Sequence, residues 1–111
     1  MTRTVVAIAL MGLAGCSQQP SQIRVQNDTG LHFSDVTVGT NTFGSVNAGA
    51  LTEYQRVHAV FEKVSVYTSQ ADGRFNNRRF LGGPNSRLAG GRYTYILELN
   101  NDALEILPNR D

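Results

Sequence analysis

The chain of 111 residues is 41% hydrophobic and 17% charged with a formal net charge of +1, the composition of one ordinary folded domain. No block of like charge suggests a nucleic-acid tail, and no apolar run reaches the roughly 18 residues of a spanning helix. A single cysteine is too few for a disulfide scaffold or a zinc knuckle.

The first sixteen residues differ from the rest and hold both methionines and the cysteine. Arg3 precedes an apolar stretch over residues 5–13 with small residues after it, the layout of a short secretory signal. The stretch ends in Leu13, Ala14, Gly15 and Cys16, which resembles the lipobox of bacterial lipoproteins. The resemblance implies that residues 1–15 are a cleaved signal peptide. It implies too that Cys16 is the lipidation site, diacylated on sulfur and usually acylated on its new amino group. Each buried CH₂ contributes about 0.8 kcal/mol, so two or three chains hold a protein to a bilayer where one binds reversibly. In proteins with this signal an Asp after the cysteine favours the inner membrane, and here Ser17 stands in that place. The resemblance therefore implies an outer-membrane anchor facing the periplasm. Residues 17–22 are polar and uncharged, so 16–22 is expected to be the acylated cysteine and a flexible tether. The domain is expected over 23–108, with a tail at 109–111.

From Ile23 onward apolar residues recur at period two and turn residues interrupt them, which predicts strands. Ile23 and Val25 open the first, and Asn27, Asp28, Thr29 and Gly30 turn it. Phe33, Val36 and Val38 form the next, with Ser34 and Asp35 spaced as a bulge; residues 39–42 turn, and Phe43 and Val46 make a short strand. Residues 51–57 and 60–68 follow, the second with Val64, Val66 and Thr68 on one face. Asp72 and Gly73 are a hairpin signal. Residues 74–81 carry arginines on both parities and read as an edge strand or extended loop, ended by Gly82, Gly83, Pro84 and Asn85. Gly90 and Gly91 introduce the clearest strand, 92–99, with Tyr93, Tyr95, Leu97 and Leu99 on one face. Asn100, Asn101 and Asp102 turn into 103–107, and Pro108 is expected to stop the pattern.

Seven or eight short strands and no capped helix predict an all-β fold, a small antiparallel two-sheet sandwich of immunoglobulin or transthyretin type, with a small closed β-barrel as the alternative. Over residues 27–99 the order of features also resembles a group of small uncharacterised bacterial lipoproteins. The pieces are Asn27 with Phe33, Asp35 and Val36; Phe43, Gly44 and Gly49; Glu53 and Tyr54; Asp72 and Gly73; and Leu88, Gly91, Tyr93, Thr94 and Tyr95. These are mostly turn and core residues, so the resemblance implies the sandwich and carries over no site.

Chemistry-bearing motifs are sparse. His32 and His58 have no sequence partner set for a triad or a metal site, so no catalytic or metal residue is assigned. The glycine pairs match neither phosphate-binding loop and read as turns. The strongest hint is charge polarity: between Gly73 and Leu97 stand Arg74, Arg78, Arg79, Arg87 and Arg92 with no acid. Arginine at all five suits bidentate contact with phosphate or carboxylate, and Phe75, Phe80, Tyr93 and Tyr95 lie among them. The competing reading is an edge that resists aggregation and pairs with acids of the same domain.

The expected function is a non-enzymatic, lipid-anchored binding or structural module of the cell envelope. Its partners are the bilayer and an envelope protein or anionic glycan, not nucleic acid. The alternatives are a binder of anionic glycan or lipid through the arginine-rich edge, and an envelope-anchored inhibitor of a muramidase or other hydrolase. For the inhibitor, Gly90, Gly91, Arg92 and Tyr93 echo the Gly-x-Arg-Tyr-like loop of known examples.

Overall fold

The computed structural model describes residues 20–80 and 82–111. The expected signal peptide, Cys16 and residues 17–19 of the expected tether lie outside them. Period-two burial organises the strands: in β1 (Ser21–Asn27) Ser21, Ile23, Val25 and Asn27 are buried and the residues between them are half-buried. The others are β2 (Phe33–Val38), β3 (Asn41–Val46), β4 (Gln55–Val57), β5 (Val66–Ser69), β6 (Phe75–Arg78), β7 (Arg92–Asn100) and β8 (Ala103–Arg110).

They form two four-stranded sheets, ordered β4-β1-β7-β8 and β3-β2-β5-β6. Among the described residues each sheet keeps two edge strands, so the molecule is a sandwich and not a closed barrel. Val25, Phe33, Val36, Val38, Val46, Tyr95 and Leu97 fill the space between the sheets, each at most 2% exposed. One pairing departs from an all-antiparallel sandwich: β1 runs parallel to β7, with Gln22 opposite Arg92 and Asn27 opposite Leu97. Parallel neighbours need a long connection, and here that connection is the whole second sheet with β4.

Several local signals hold. The ladder between β2 and β3 shifts register between Phe33 and Val36, where Ser34 and Asp35 are spaced as a bulge. Gly73 adopts φ +89° in the β5–β6 hairpin, and Asn101 and Asp102, at φ 53° and 66°, form the two-residue turn between β7 and β8.

Other expectations need correction. Pro108 does not stop the last strand, because β8 is an edge strand. Counting from the closing pair Asn100 and Ala103, Pro108 opposite Tyr95 falls at a non-hydrogen-bonded position, so its missing N–H faces the open edge. The ladder runs on to Arg110, two residues past the expected domain end, and β1 starts at Ser21, inside the expected tether. The strand expected over 51–57 shrinks to β4. At its start the Val25 amide donates to the Thr52 hydroxyl at 2.9 Å, a side chain taking the place of a ladder carbonyl. The strand expected over 60–68 survives only as β5. Residues 60–63 instead bind residues 85–88: the Leu88 amide donates to the Val60 carbonyl at 2.7 Å and the Lys63 amide to Asn85 Oδ1 at 2.9 Å.

Candidate functional site

Strand register assembles a basic cluster at the end of the first sheet where β1 begins. Gln22 lies between Arg56 of β4 and Arg92 of β7, and Arg24 lies beside Thr94. Because β8 runs antiparallel to β7, Arg110 reaches the same end. On β1 and β7, Gln22, Arg24, Arg92 and Thr94 take the parity opposite the buried Ile23, Val25, Tyr93 and Tyr95.

Tyr54 organises the cluster. The guanidinium of Arg24 lies 4.6 Å from its ring centroid and that of Arg92 5.2 Å away, both within cation–π range. The Tyr54 hydroxyl donates to Asp111 Oδ2, and this bond holds the phenol above its ordinary pKa, against the two guanidiniums that pull it down. Thr94 Oγ1 lies 2.8 Å from both carboxylate oxygens of Asp111 and accepts from Arg24 Nε at 3.0 Å. Arg24 Nε is 3.7 Å from the same carboxylate. Arg92 Nε donates to Gln22 Oε1 at 3.0 Å, and Arg110 Nη2 donates to the Gly90 carbonyl at 3.0 Å. Gly91 makes room for this: a Cβ there would lie 3.2 Å from Arg110 Nη2, and its φ is +146°. In front of the cluster is a shallow depression of about 470 Å³ lined by Pro20, Gln22, Arg56, Gly91, Arg92, Arg110 and Asp111.

The five arginines expected to form an anion-binding edge do not converge. Arg74 is bound to Asp72 at 2.8 Å, and donation from the Arg74 backbone amide, followed by this side-chain bond, holds the Asp72 carboxyl below its ordinary value. Arg74 also lines a hollow with Leu31, Leu99 and Asp102. Leu99 is seven residues along β7 from Arg92, about 23 Å at strand rise. Arg78 stacks over Phe80 at 5.0 Å and donates Nη1 to the Leu104 carbonyl at 3.2 Å, with its buried Nε unpartnered among the described residues. Arg79 is exposed beside it, and exposed Arg87 bridges to Phe61. Only Arg92 belongs to the basic cluster, and Arg24, Arg56 and Arg110 complete it from strands far apart in sequence.

The aromatics among those arginines also separate. Phe75 stacks on Tyr67 in the open, with centroids 6.0 Å apart. Tyr93 and Tyr95 are core residues that donate to the carbonyls of Ala89 and Phe61, each at 2.7 Å. Burial pushes the Tyr95 phenol up to about 12. Residues 90–93 are therefore no projecting loop, since Tyr93 turns inward. His32 and His58 are exposed, His58 on the rim of an apolar crevice with Val38, Val57 and Phe61. Among the described residues no three His, Cys, Asp or Glu side chains gather as a metal site requires.

No family model and no curated protein matches the chain. Among solved structures it is similar to the NMR structure of a protein from Eubacterium rectale, with 17% identity and a TM-score of 0.59 over 86% of this chain and 94% of that one. At that identity the likeness shows the fold alone, a small two-sheet all-β sandwich.

Proposed function

We propose that the chain is a non-enzymatic, lipid-anchored module of the cell envelope. In this reading acyl chains on Cys16 fix it to the outer membrane on the periplasmic side, and the sandwich presents its free faces to an envelope protein or anionic glycan. The observation that carries it is the quartet Leu13, Ala14, Gly15 and Cys16 after a short apolar stretch. The start of β1 at Ser21 supports it, because a folded domain follows the cysteine within five residues. Function then consists in holding a binding surface close to the bilayer.

Two measurements test the anchor. Globomycin, which blocks the lipoprotein signal peptidase, is expected to accumulate the uncleaved chain, and mass spectrometry of the mature protein is expected to find acyl groups on Cys16. A mature protein whose Cys16 carries no acyl group refutes it.

A further inference from the structure

We infer that the basic depression at the start of β1 is a seat for the phosphates of anionic lipid head groups, which stands the sandwich on the bilayer with that end down. The inference deepens the anchoring proposal and rests on it for the identity of the surface. Its own support is geometric. Arg56 and Arg92 line the depression with Arg24 behind them; Arg110, stacked over Tyr93, reaches it from the end of β8; and among the described residues Asp111 is the one acidic side chain lining it. That carboxylate is engaged by Thr94, Tyr54 and Arg24. Arg92 and Arg110 are already fixed by Gln22, Tyr54 and the Gly90 carbonyl, so little side-chain freedom is lost when they bind. Each keeps further N–H donors for a phosphate oxygen.

The covalent path puts this surface next to lipid. Pro20 lines the depression, and Cys16 precedes it by four residues. Even fully extended, four residues span at most about 14 Å. A head-group layer is roughly 5–8 Å deep on each side of a bilayer, so an acylated Cys16 leaves the arginines within a short reach of it. The charge of the sheet's outer face reinforces one orientation. Asp28, Glu98, Asp102 and Glu105 lie toward its opposite end, with Glu98 directly across from Glu105. Glu98 is six residues along β7 from Arg92, about 20 Å at strand rise. A negative bilayer attracts the basic end and repels the acidic one.

The test uses the full chain with Cys16→Ser, so that no acyl chain contributes, and measures co-sedimentation with phosphatidylcholine vesicles with and without phosphatidylglycerol. Any binding through the apolar residues 5–13 is common to both lipids and all variants. Phosphatidylglycerol is expected to strengthen binding in a salt-sensitive way. At about fivefold per basic residue near an anionic surface, Arg56→Gln with Arg110→Gln is expected to remove about 25-fold of that gain. Arg79→Gln with Arg87→Gln removes the same charge elsewhere and is expected to leave the gain nearly intact. Equal binding to the two vesicle types overturns the seat, and so does an equal loss in both double variants. Neither result touches the anchor, which stands or falls on the mass of Cys16.

Discussion

Asn27 is the side chain on which the sandwich depends most for its size. It closes β1 and is fully buried. Its Nδ2 lies 2.7 Å from the Leu31 carbonyl, 3.2 Å from that of Val46 and 3.1 Å from that of Asn47, and its Oδ1 accepts from the Thr29 amide at 3.1 Å and from the Thr29 hydroxyl. One carboxamide thus ties the β1–β2 loop to the end of β3, across the two sheets. In an Asn27→Ala chain the Asn47 carbonyl keeps the Ala50 amide, 3.0 Å away. The Leu31 carbonyl and the Thr29 amide lose their closest partners. Those two groups are half-buried and the Val46 carbonyl, which loses the same donor, is buried; at about 1–3 kcal/mol for each group left unsatisfied, toward the low end here, a total near 4 kcal/mol is expected. That is a large share of the roughly 5–15 kcal/mol that stabilises a domain. At about 4–8 °C per kcal/mol it lowers Tm by roughly 15–30 °C.

Urea denaturation followed by circular dichroism reads the loss as a lower midpoint at unchanged m. Asn27→Asp separates shape from donation, because it keeps the acceptor for Thr29 and turns a carboxylate on the carbonyls of Leu31, Val46 and Asn47. Burial and those carbonyls raise its folded pKa above the unfolded value of about 3.9. Relative stability is then highest below that value and falls as pH rises through the folded pKa. A loss under about 1 kcal/mol in Asn27→Ala, or an Asn27→Asp chain indifferent to pH, would show that the carboxamide does not tie the loops.

Two further outcomes follow from the same accounting. The Tyr95 phenol is held up to about 12 by burial, against an ordinary value of 10.0, so its contribution is complete below pH 10 and is lost as pH rises toward 12. Ultraviolet titration is expected to show Tyr95 ionising together with unfolding, and Tyr95→Phe is expected to cost about 1–2 kcal/mol through the lost bond to the Phe61 carbonyl. At the β7–β8 turn Asp102 sits at φ 66°, which glycine adopts without strain, so Asp102→Gly is expected to raise stability by about 0.5 kcal/mol in thermal melts. A drop in Tm would mean that the Asp102 side chain, not the backbone, holds that turn.

Alternation of apolar residues is enough to place β7, whose Tyr93, Tyr95 and Leu97 are buried as expected, and the turns at Asp72 and Asn101 carry their own backbone chemistry. What period two cannot specify is which strands become neighbours. The basic cluster draws on Arg24, Arg56, Arg92 and Arg110, residues that meet only because β1 is flanked by β4 and β7 and β8 runs back along β7. The five arginines close together in sequence are separated in space for the same reason. Asn27 reads as a turn residue because its neighbours Asp28, Thr29 and Gly30 are turn residues; its burial depends on loops from the other sheet. Pro108 reads as a stop because only sheet order reveals that β8 has one neighbour.

The parallel pairing of β1 with β7 also bears on how the chain reaches its folded state. Gln22 and Arg24 meet Arg92 and Thr94 across 70 positions of sequence. The β7 side of β1 therefore has no partner until nearly the whole chain is present. Contacts of such long range close slowly, on a scale of milliseconds to seconds for β sandwiches. A chain delivered from its N-terminus can pair β1 only with the three-residue β4 while β2, β3, β5 and β6 complete their local hairpins, so the second sheet is expected to form first. A chain truncated before Arg92 leaves the β7 edge of β1 open and removes Tyr93, Tyr95 and Leu97 from the core, so it is expected to be digested by proteases rather than to persist as a smaller version of the domain.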